Sequence, residues 1–69
     1  MSLLAERIEN FERMLTAVQE NYKSTTEKME QLRQAGREKS ATFRQLMGDK
    51  LMYQNILSLY KIYGLTDEQ

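Results

Sequence analysis

The sequence predicts an all-α fold, a two-helix antiparallel hairpin that assembles as a helical bundle. Three observations carry that expectation. Proline is absent, and the good helix formers Glu, Gln, Lys, Arg, Leu and Met dominate. Leu4, Ile8, Phe11, Leu15, Val18, Tyr22, Thr25, Met29 and Leu32 follow one another at alternating spacings of four and three. That period of 3.5 draws one narrow apolar seam along a long helix, the pattern by which one helix asks for another. Leu4, Ile8, Phe11, Leu15, Val18, Tyr22, Met29 and Leu32 are the expected oligomer seam. A second apolar stretch then follows Gly36, which breaks the pattern where a turn would fall.

The first helix is expected over residues 2–35. Ser2 is a good N-cap, and Glu6, Glu9 and Glu12 lie towards the positive end of the helix dipole. Glu9–Arg13, Glu20–Lys23 and Glu30–Arg33 are spaced for favourable surface pairs. Each contributes only ~0.2–0.5 kcal/mol, so they support the helix without deciding it. With Ile8 at heptad position a, the a set is Ile8, Leu15, Tyr22 and Met29, and the d set is Leu4, Phe11, Val18, Thr25 and Leu32. Around Tyr22 and Thr25 the seam becomes less apolar, which marks a register device or a change of partner.

Gly36 is the expected stop, with Arg33 and Arg37 placed where cations favour a helix C-terminus. The turn is expected over 36–41. Ser40 or Thr42 offers the next N-cap, and Thr42 with Gln45 would make a capping box. The second helix then spans 42–63, Gly64 repeats the C-terminal glycine, and residues 64–69 form a polar tail. One continuous helix through Gly36 is the alternative, because an interior glycine costs only ~1 kcal/mol. Gly48 either permits close approach of a neighbouring helix or marks a kink before Asp49, which could itself cap a second segment; an unbroken helix is the default.

The second helix is apolar nearly all round. Phe43, Leu46, Tyr53, Ile56, Leu57, Tyr60 and Tyr63 share one broad side, whereas Leu51, Met52, Leu59 and Ile62 lie largely off it. Ten of the fifteen residues from Leu51 to Leu65 are apolar or aromatic, more than a single neighbouring helix can cover. The excess implies a further partner. Tyr53, Tyr60 and Tyr63 with Met52, Leu59 and Ile62, and Met47 nearby, are the expected partner-binding residues, since tyrosine anchors and methionine fills at interfaces. The competing reading is that this cluster is core.

Composition narrows the function classes. With 69 residues and no cysteine, disulfides and thiolate metal sites are excluded, and oligomerisation is the expected source of stability. Histidine is also absent, which removes the commonest metal ligand and general base. No cofactor is expected. Glu6, Glu9 and Glu12 fall on or beside a solvated face, and a hairpin has no cleft in which to desolvate a substrate. A catalyst is therefore not expected.

Charge is balanced overall but uneven along the chain. Residues 1–32 carry a net −2 and residues 33–61 a net +4. Arg33, Arg37, Lys39 and Arg44 around the turn are the candidate anion site, where helix N–H groups and guanidinium forks could meet a phosphate. The plainer reading is a solvated basic turn. The same residues could serve nucleic acid, although the long heptad helix does not suit a helix-turn-helix reader. The uncharged run from Leu51 to Tyr60 is too short to span a bilayer, and no basic region followed by an apolar stretch opens the chain. The expectation is a cytoplasmic homodimer or higher helical bundle. It would act as an adaptor or small inhibitor on another protein, with nucleic acid or nucleotide as the alternative partner.

Overall fold

The computed structural model describes residues 2–66, and among them there are two helices and no strand. Helix α1 runs Leu3–Gln34 and helix α2 runs Ala41–Ile62. They pack side by side in opposite directions: Phe11 meets Tyr60 at one end, and Arg33 lies over Phe43 at the other. The predicted hairpin is the observed fold, and the boundaries move by one residue.

The helix ends explain those boundaries. The Ser2 hydroxyl accepts a hydrogen bond from the Leu4 N–H at 3.2 Å and starts α1. Gly36 ends it with φ +72°, a left-handed conformation in which a Cβ would be strained. The Arg37 N–H reaches back to the Leu32 carbonyl at 2.8 Å and the Gly36 N–H to Arg33 at 3.0 Å. Those two bonds make a Schellman motif and rule out a continuous helix. Gly64 repeats it at the end of α2, again at φ +72°, with Leu65 donating to the Tyr60 carbonyl.

Ser40, not Thr42, caps α2. Its hydroxyl accepts from the Phe43 N–H at 3.1 Å and donates to the Arg37 carbonyl at 2.9 Å. One side chain therefore locks both the helix start and the turn before it. The Thr42–Gln45 capping box does not form, because Thr42 already lies inside the helix and Gln45 donates to Asp49 instead. Gly48 is accommodated without a break, so Asp49 starts no new helix.

Leu15, Val18, Leu57 and Tyr60 form the centre of the core, with Phe11, Tyr22, Tyr53 and Ile56 packed around them. Phe11 and Tyr60 meet edge to face, ring centroids 5.1 Å apart, the arrangement that aromatic quadrupoles favour. Met29 and Phe43 are buried nearer the turn. Between the two patches the seam passes through buried Thr25, and across from it α2 carries half-buried Asp49 and Lys50. The polar interruption seen in the heptads of α1 is matched by one in α2. Above it, Gln54 donates to the Tyr22 phenol at 3.2 Å, a polar clasp between the helices.

Unequal lengths decide the shape. At ~1.5 Å per residue, the 32 residues of α1 outrun the 22 of α2 by about 15 Å. The molecule measures 51 × 23 × 15 Å. Its radius of gyration, 15.2 Å, is well above the ~11 Å of a compact domain of this length. The N-terminal turns of α1 project past the end of α2. Leu4 and Ile8 are consequently exposed, although their heptad positions place them on the seam.

Candidate functional site

Three surfaces merit comparison: the outward face of α2, the projecting end of α1, and the basic turn. On α2, the side chains turned towards α1 include Phe43, Tyr53, Ile56, Leu57 and Tyr60. On the opposite side Gly48, Met52, Asn55, Leu59 and Ile62 succeed one another at spacings of four, three, four and three. This is a second line of period 3.5, with Leu51 beside it. Leu51, Met52, Leu59 and Ile62 are 55%, 48%, 56% and 73% exposed, so the line is uncovered along its length. Between Gly48 and Ile62 it holds no charged residue.

Gly48 adds a distinct signal. Its backbone is helical, and a Cβ built there would meet nothing within 4 Å. Within one chain nothing requires glycine at this position, and an interior helix glycine costs ~1 kcal/mol relative to alanine. What it leaves is a flat place on the outside of α2.

The six residues expected to bind a partner divide. Tyr63, Met52, Leu59 and Ile62 are exposed. Tyr60 is buried against Phe11, and Tyr53 packs on the same core, so these two face α1 rather than a partner surface. Aromatic content alone could not separate them; helical phase relative to Leu57 does. The Tyr60 hydroxyl is buried and has no hydrogen-bond partner among the described residues.

The oligomer seam is likewise reassigned. Phe11, Leu15, Val18, Tyr22 and Met29 were expected between protomers, but the chain's own α2 covers them, and half-buried Leu32 sits beside Thr42 and Leu46. A heptad pattern names a helix as partner without saying whose helix. Only Leu4 and Ile8 continue the seam beyond this intrachain cover. With Arg7, Phe11, Glu12 and Leu65 they line a shallow hollow of about 440 Å³ at the projecting end.

The basic turn is partly neutralised by its own chain. Arg33 pairs with Glu30 at 2.8 Å and with Glu38 at 3.7 Å, and its guanidinium lies 5.6 Å from the centre of the Phe43 ring. Ser40 takes up the Phe43 N–H, one of the groups an anion would seek. Arg37, Lys39 and Arg44 are exposed. Of the four cations, Arg33 is the one engaged by its own chain's carboxylates and aromatic ring.

Among the described residues no three His, Cys, Asp or Glu side chains come together as metal ligands would. No helix among them is long and apolar enough to cross a membrane. Compared with protein families, with curated proteins and with solved structures, the chain matches none.

Proposed function

We propose that this chain is a non-catalytic, homo-oligomeric interaction protein, an adaptor or small inhibitor that binds another macromolecule, and that the outward side of α2 is its association face. One observation carries the reading: the uncovered, uncharged apolar line from Gly48 to Ile62. Isolated apolar side chains are ordinary on a protein surface, but a contiguous stripe at helical spacing marks a place of association. The intrachain core also supports the reading. It consists of one helix-to-helix contact, and domains of this size seldom stand on so small a core alone. The setting proposed is the cytoplasm, where the absence of cysteine carries no penalty.

Light scattering on the purified chain, with affinity capture from its own cell extract before and after nuclease, tests this. The expected result is self-association together with a protein partner that survives nuclease. A monomer that captures no protein would overturn it. Recovery of nucleic acid or a nucleotide would move the function to the turn. Arg37→Glu combined with Arg44→Glu should then abolish binding, whereas under the reading proposed here the double change leaves binding within about twofold.

A further inference from the structure

We infer that the occupant of the outward face of α2 is a second copy of this chain, with the two α2 helices packed against each other about Asn55. The inference rests on the reading of α2 as the association face and names what covers it.

Surface area gives the first argument. A compact monomer of 8.2 kDa exposes about 4,500 Å², and this chain exposes 5583 Å². The excess, about 1,000 Å², is shared between the projecting end of α1 and the bare face of α2, and it is of the size of the ~800 Å² that each partner contributes to a standard stable interface. One partner helix of this chain's own size is enough to absorb the share on α2.

Chemistry gives the second. A foreign partner is selected by complementary charges or by hydrogen-bonding groups that reject competitors. Between Gly48 and Ile62 the line offers no charge and a single amide, Asn55. An amide carries donors and an acceptor together and so satisfies its own copy. A lone asparagine in an apolar seam is also a known device for fixing register and oligomer state. Asn55 stands at the midpoint of the line, seven residues from Gly48 and seven from Ile62. A two-fold axis through that midpoint brings Asn55 onto Asn55 whether the helices run parallel or antiparallel.

Gly48 gives the third. It is the one position in the line where a missing side chain lets a neighbouring backbone approach, and within the monomer that space is empty. A second α2 laid on this face supplies the reason for glycine that the single chain lacks. The result is a row of four helices, with the two α2 helices paired at its centre and the two α1 helices outermost.

Because the chain has no cysteine, a single introduced one is a clean probe. Asn55→Cys should oxidise to a covalent dimer readily, whereas Glu27→Cys, on the exposed back of α1, should not. In sedimentation equilibrium, Gly48→Gln should weaken the dimer at least about tenfold while leaving helicity by circular dichroism equal or higher. The wild type remaining monomeric at about 100 µM would overturn the inference. The proposal of α2 as an association face would then survive only if Leu59→Asp abolished capture of a different protein. A dimer insensitive to Gly48→Gln, or one cross-linking equally at residues 27 and 55, would also overturn the inference, because the interface would lie elsewhere.

Discussion

The two helices use the same heptad spacing for different ends. α1 has one apolar line, and α2 covers most of it; the rest of α1 is mainly charged or polar and solvated, with Leu3 and Met14 the large apolar side chains exposed off the line. α2 has two such lines on opposite sides, one satisfied by α1 and the other bare. A helix with one line is completed by a hairpin. A helix with two lines is completed only by something further. The difference separates what folds this chain from the surface through which, in the function proposed, it associates.

Aspartate placed on each line in turn breaks the comparison most sharply. Leu15→Asp and Leu57→Asp put a carboxylate among Val18, Tyr60 and their neighbours, where both sites are less than a tenth exposed. Each should cost at least ~3 kcal/mol and remove most helicity and assembly together in far-UV circular dichroism and light scattering. Leu59→Asp, two residues from Leu57, should leave helicity in place and remove assembly alone. If Leu57→Asp left the melting temperature unchanged, the inward line would be misplaced.

The turn offers a smaller effect that acts on both helices at once. Gly36→Ala puts a Cβ at φ +72° without touching either line. A loss of ~1–2 kcal/mol in denaturant midpoint is expected, with association following stability down. No change would mean that the cap contributes little to joining α1 and α2.

The finest test concerns the inward line alone. Tyr60→Phe removes a hydroxyl that is buried without a partner and keeps the ring against Phe11. Stability should rise by ~1 kcal/mol or remain level, because an unsatisfied buried polar group disfavours the folded state. A clear loss would reveal a hydrogen bond that Tyr60 gains on assembly.

Much of this architecture was readable from residue spacing. Ser2, Gly36 and Gly64 act as their chemistry suggests, since capping depends on neighbours within about five residues. The seam of α1 was equally plain. What spacing could not supply was whose helix fills it, because an intrachain and an interchain partner leave the same pattern. Spacing could not place Tyr53 and Tyr60 on the inward side for a related reason: an all-round apolar helix has no polar face from which to read its phase. The projecting Leu4 and Ile8 depend on the difference in length between the helices, which becomes visible only once the turn is fixed at Gly36 and Ser40. The bare line of α2 was half visible, since Leu51, Met52, Leu59 and Ile62 stood apart. Gly48 joined it only when its surroundings proved empty.

The Ser40 clasp also bears on the order in which the chain folds. The bonds from Arg37 to Leu32, from Ser40 to Arg37 and from Phe43 to Ser40 each span five residues or fewer. Closing such short loops costs little chain entropy, so the turn can act as the nucleus from which pairing spreads. Phe11 and Tyr60, nearly fifty residues apart, come together only after the intervening turns have zipped. Folding then runs as a wave from Gly36 outwards, and hydrogen exchange should be slowest beside Phe43 and fastest at the projecting end. Leu4 and Ile8 would be the last to find a place and the first to lose it.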